Sequence, residues 1–70
     1  MDLAQVIAQR MRRAMDDAGI DRCELRRRVG CSYQAVDAWF TGHRAPTAAK
    51  LVGICKALGV TADYLLGLED

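Results

Sequence analysis

The side chains able to do chemistry crowd into one stretch of this 70-residue chain. Residues 22–50 hold Arg22, Arg26, Arg27, Arg28, Arg44 and Lys50 against Glu24 and Asp37, a net charge of +4. The remainder holds Arg10, Arg12, Arg13 and Lys56 against seven acids, a net −3, so the formal total of +1 conceals a split. A basic stretch set against an acidic remainder is an electrostatic footprint for a polyanion. A solvated Arg-rich helix face accounts for the charge equally well. Other chemistries have little to stand on. His43 is the sole histidine, so Ser-His-Asp or Cys-His catalysis would rest on it alone. Its plainer reading is a solvated loop residue. No His/Cys pair has metal-ligand spacing, and neither a Gly-rich phosphate loop nor a nucleophile elbow occurs. A chain of 7.7 kDa also leaves little room for an enzyme pocket. No enzymatic activity, cofactor or metal is expected. The three cysteines, Cys23, Cys31 and Cys55, make a poor disulfide framework and are expected to be small apolar filling.

Short helices must position these residues. Gly19, Gly30, Gly42, Gly59 and Gly67 each follow a helical pattern, where glycine ends a helix without a Cβ clash. Asp21, Ser32, Thr47 and Thr61 precede the next runs and can cap them. Asp21 and Glu24 have the spacing of a capping box. The pattern predicts helices over about 2–18, 21–29, 32–41, 47–58 and 61–66, with no strand, in one all-α domain spanning 1–70. In the first, Leu3, Val6, Ile7, Met11, Ala14, Met15 and Ala18 form one apolar stripe. The second is expected to bury Leu25 and Val29, and the third Ala35, Val36 and Trp39. The fourth is expected to bury Ala48, Leu51, Val52, Cys55 and Leu58, and the fifth offers Leu65 and Leu66. Pro46 stops continuation between the third and fourth. Gly53, inside the fourth, suggests a backbone passing close. No apolar run is long enough to span a membrane, and the first residues lack a secretion signal, so a cytoplasmic location is expected.

The second and third helices are the informative pair. Only Gly30 and Cys31 separate Val29 from the Ser32 cap. So tight a turn forces a steep crossing, the geometry of a helix-turn-helix, here about 21–41. At roughly 100° per residue, Ala35, Val36 and Trp39 share one side of the third helix. Tyr33, Gln34, Asp37, Ala38 and Thr41 share the other. Gln can bond adenine bidentately, and an alanine methyl can meet a thymine methyl. An ordinary amphipathic helix with a polar outside has the same pattern.

The ordered set decides between them. Asp21-Arg22-Cys23-Glu24-Leu25, Val29-Gly30, Ser32 through Val36, Thr41-Gly42-His43-Arg44, Pro46, and Leu58-Gly59-Val60 through Asp63-Tyr64-Leu65-Leu66 follow at matching spacings. With these segments the chain resembles the lambda-repressor-like helix-turn-helix family, of Cro/repressor or Xre type. The resemblance implies a compact five-helix domain that binds double-stranded DNA and regulates transcription, as a repressor with its third helix in the major groove. It implies phosphate contacts from Arg22, Ser32, Thr41, His43 and Arg44. It places Tyr33, Gln34, Asp37 and Ala38 at base-facing positions. It also implies a palindromic operator, a weak homodimer formed through the fifth-helix region, and a place on the nucleoid. Four positions depart from the family. Arg22 stands where glutamine is usual, and Arg26 where alanine packs between two helices, so either its head snorkels outward or the helix crossing shifts. Met15 and Phe40 replace an Arg–Glu pair, predicting an apolar contact between the first helix and the end of the third. The rival reading is a helical protein-interaction module, an antitoxin-like partner binder.

Overall fold

Each helix begins on a side-chain oxygen that accepts an amide of the first turn. Asp2 accepts from Gln5, Asp21 from Glu24, Ser32 from Ala35, Thr47 from Lys50 and Thr61 from Tyr64. These caps start α1 (Leu3–Ala18), α2 (Arg22–Val29), α3 (Tyr33–Thr41), α4 (Ala48–Leu58) and α5 (Ala62–Leu65). The computed structural model describes residues 2–69, which contain no strand; Met1 and Asp70, the ends of the expected 1–70 domain, lie outside the described residues. Helices start one residue later than the pattern predicts because a capping residue keeps an extended backbone, as at Asp21 with ψ 178°. The capping box at Asp21 is half made. Glu24 sends its carboxylate forward to Arg27 and Arg28, and these two guanidiniums hold it below the usual carboxylate range.

The helices close around Met11, Met15, Leu25, Val36, Trp39, Ile54, Leu58 and Leu65. α1 packs on α3 and α5, and α2 packs on α3 and α4. The result measures 26 × 22 × 20 Å. Among the described residues, four long-range hydrogen bonds to carbonyls brace it, one of them from Gln5 to Gly42. Arg12 reaches Phe40 at 2.7 Å, Arg10 reaches Glu69 at 3.0 Å and Arg28 reaches Ala57 at 3.3 Å.

The α1 stripe is buried at Ile7, Met11, Ala14 and Met15 and gains Ala8, but Leu3 and Ala18 lie on the surface. The fourth-helix face is turned from its expected setting. Ile54 and Leu58 are buried, Leu51 and Cys55 half-buried, while Ala48 and Val52 face solvent, Val52 at 54% exposure. Gly53 is the cause. A Cβ there would stand 3.3 Å from Val29 Cγ1, so α2 packs against a position with no side chain. A stripe drawn from apolar side chains cannot register a glycine contact and therefore leans toward Val52.

Candidate nucleic-acid interface

α2 ends at Val29, and the chain reverses through Gly30, whose φ of 77° is a left-handed conformation suited to glycine. The amides of Gly30 and Cys31 both close on the Arg26 carbonyl, at 2.8 and 3.3 Å. Ser32 then takes an extended backbone and starts α3. Gly30, Cys31 and the Ser32 cap thus join the helices, and α3 is seated by Val36 and Trp39, both buried, with Ala35 half-buried beside them.

The opposite side of α3 is open. Gln34 and Asp37 are exposed, Tyr33 is 46% exposed, and Ala38 is half-buried. Among the described residues the Gln34 amide makes no hydrogen bond to protein, so its donor and acceptor are free. Tyr33 leans back on α2, its hydroxyl 4.0 Å from Cys23 Sγ. That contact pushes the phenol above its ordinary range. Cys23 is therefore an exposed surface thiol, against the expectation of apolar filling; at α2's second position it points away from the Leu25 face. Cys31 and Cys55 are half-buried against the core, and burial pushes the Cys55 thiol up.

Of the five residues expected to face phosphates, Ser32, Thr41, His43 and Arg44 are exposed and Arg22 is half-buried. Ser32 is exposed while serving as the α3 cap. Thr41 donates its hydroxyl to the carbonyls of Asp37 and Ala38, at 3.0 and 3.3 Å. After α3, the amides of His43 and Arg44 both bond the Ala38 carbonyl, at 2.9 and 3.3 Å. Those bonds fix the loop's backbone and leave both side chains exposed. Under the loop, Gly42 is buried and its carbonyl accepts from Gln5 Nε2 at 3.2 Å, so α1 supports the exit from α3.

Among the described residues, Arg22 is the one expected phosphate partner already held by another side chain. Its Nη1 lies 2.6 Å from Asp37 Oδ1, with the two side chains 41% and 52% exposed. Its guanidinium also lies over the Phe40 ring, 4.8 Å from the centroid. Arg12 approaches the same ring at 5.8 Å while bonding the Phe40 carbonyl. Met15 and Phe40 line one concavity with Arg12 and Arg22, and the bond from Arg12 to the Phe40 carbonyl ties α1 to the end of α3. Sequence reasoning missed the Arg22–Asp37 union and the Phe40 platform. A signal was present: opposite charges at the start of one helix and the middle of the next, with an aromatic three residues on. Arg26 is half-buried on the outer edge of α2 beside Asp21, Glu24 and Arg27, as snorkelling requires.

Among the described residues no group of three or more His, Cys, Asp or Glu side chains is placed to hold a metal ion. No helix among them is long and apolar enough to cross a membrane.

A family model described as helix-turn-helix matches residues 11–65. The 26 kDa repressor protein of Escherichia phage HK022 is 31% identical over 70 residues, covering 94% of this chain and 30% of that protein. A Rhodospirillum rubrum protein described as an uncharacterized transcriptional regulator in the ATPase CF(0) region is 34% identical over 58 residues. That match covers 83% of this chain and 54% of that protein. The chain thus spans roughly a third to a half of these curated relatives. No solved structure matches it.

Proposed function

The chain belongs to the helix-turn-helix family of Cro/repressor type, and from that premise we propose that it binds double-stranded DNA and represses transcription by occupying an operator. The family and the relatives' names are those of regulators rather than enzymes. The observation that carries the reading is the open face of α3, polar and small where a groove would be read and braced from behind by Val36 and Trp39. In this reading Tyr33, Gln34, Asp37 and Ala38 meet base edges in the major groove. Arg22, Ser32, Thr41, His43 and Arg44 meet phosphates and fix the register. The Ser32 end of α3 suits an anion, because its free amides and dipole favour negative charge. Repression then needs no chemistry, since an occupied operator excludes polymerase. Its place is the cytoplasm, on the nucleoid.

The operator is palindromic in this reading, and two copies sit on half-sites about 34 Å apart. The fifth-helix region supplies a small patch for their contact. Leu65 is fully buried and belongs to the core, and Tyr64 is covered by Arg10, 4.9 Å from its ring centroid. Leu68, 73% exposed, and half-buried Leu66 are what remain to meet a second copy. So small a patch fits a pair that is weak without DNA.

Titration of random duplex DNA at two salt concentrations tests the reading. Each phosphate neutralised lowers the logarithm of affinity by about 0.9 per decade of salt. Two such contacts alone predict about a tenfold loss between 50 and 200 mM. Affinity that does not respond to salt, or no binding at all, contradicts the proposal.

A further inference from the structure

Arg22 opens α2 and Asp37 sits fifteen residues on, in the middle of α3, yet their side chains meet at 2.6 Å. Exposed ion pairs between mobile side chains are seldom held in one geometry. This one has a second restraint, because the guanidinium also lies over Phe40 at 4.8 Å. A planar fork fixed along an edge by a carboxylate and across a face by a ring is oriented before any ligand arrives. The carboxylate uses Oδ1 for Arg22, and among the described residues its Oδ2 has no partner in the protein. Arg22 likewise spends Nη1 here and keeps its other N–H donors.

A lone carboxylate on a DNA-facing surface is repelled by the phosphates. A carboxylate already neutralised by an arginine is not, and it still holds lone pairs for a donor. We propose that Arg22 and Asp37 work as one unit across the two helices: Arg22 bridges the carboxylate to a DNA phosphate, and Asp37 Oδ2 accepts from a base amino group, cytosine N4 foremost. Arg22 is then a positioning residue that sets base preference without touching a base, whereas an ordinary phosphate contact carries no sequence information. The proposal rests on the DNA-binding reading above. It differs from a simple exchange in which Arg22 leaves Asp37 for phosphate. Exchange would strand an uncompensated carboxylate that weakens binding to every sequence alike.

Selection of bound sites from random duplex DNA, with the full chain and the variants Arg22→Ala, Arg22→Lys and Asp37→Asn, distinguishes the two. Thermal melting establishes that each variant is folded. The wild type is expected to prefer cytosine about tenfold at one position of the site. Asp37→Asn and Arg22→Ala should both lose that preference while keeping the preference at the neighbouring position read by Gln34, and Arg22→Lys, which keeps the charge but not the planar fork, should retain it only in part. The proposal is overturned if Arg22→Ala weakens all sequences evenly with cytosine still preferred. It is also overturned if Asp37→Asn strengthens binding to every sequence. Salt-dependent binding with either of those results defeats the paired unit alone. Absence of any duplex binding defeats the DNA-binding reading, and the unit with it.

Discussion

Gln34 and Arg44 illustrate two kinds of contact that a single exposed side chain can make. Gln34 offers an unspent donor and acceptor on the first turn of α3, the pair that adenine N6 and N7 require. Arg44 is a charge on a loop whose backbone is tied down at Ala38. On the best site Gln34→Ala is expected to cost about 1–3 kcal/mol and to relax one base pair. Arg44→Ala is expected to weaken all sequences alike and to lower the salt slope by about one unit. Titrations on the best site and on random duplex at several salt concentrations separate the two. The exposure of these side chains was legible in the sequence because a helix repeats every 3.6 residues, so Val36 and Trp39 facing the core oblige Gln34 and Asp37 to face out. The Arg22–Asp37 pair was not legible in the same way. Fifteen residues separate its members on two helices, and only the turn at Gly30 brings them together.

At the scale of elements, what holds α3 in place is as informative as the helix itself. α3 leaves through Gly42, which has φ 80° and lies against Gln5 of α1. A Cβ at Gly42 would stand 2.5 Å from Gln5 Nε2, whereas one at Gly59 would meet nothing within 4 Å. Both glycines have a left-handed backbone that costs a non-glycine residue about 1–2 kcal/mol. Gly42→Ala should also break the Gln5 bond, adding about 0.5–1.5 kcal/mol over Gly59→Ala. In a Gln5→Ala background the two substitutions should cost the same. Denaturant unfolding of the four variants measures this, and a gap that persists without Gln5 would contradict the role given to α1. A second element-scale expectation concerns pH. Arg28 and Arg27 lower the Glu24 carboxyl below its ordinary 4.5. A depressed folded value means the contribution is complete above the unfolded value and disappears as pH falls through the folded one. Glu24→Gln should therefore lower the melting temperature slightly at neutral pH and converge with the wild type as pH falls well below about 4.5, so that its loss of stability with acid is flatter. The helices and their caps could be read from sequence because each rests on neighbours within four residues. The setting of α4 could not, because it depends on Val29 packing where Gly53 has no side chain.

Across the whole molecule, the distribution of charge bears on how the face of α3 could meet a polyanion. Three of the six basic side chains in residues 22–50 are paired within the protein, Arg22 with Asp37 and both Arg27 and Arg28 with Glu24. Pairing redirects those charges without cancelling the +4 of the stretch, so steering toward a polyanion survives while fewer guanidiniums are left to contact it. Two copies on a symmetric site would double those contacts. The measurement that tests the account most directly is selection of sites from random duplex DNA by the wild type and by Gln34→Ala in parallel. The account predicts that the wild type enriches a two-fold symmetric sequence. It further predicts that Gln34→Ala enriches the same sequence with one base pair per half-site relaxed. Failure to enrich any sequence, or an identical preference in both proteins, would contradict the claim that α3 reads the DNA.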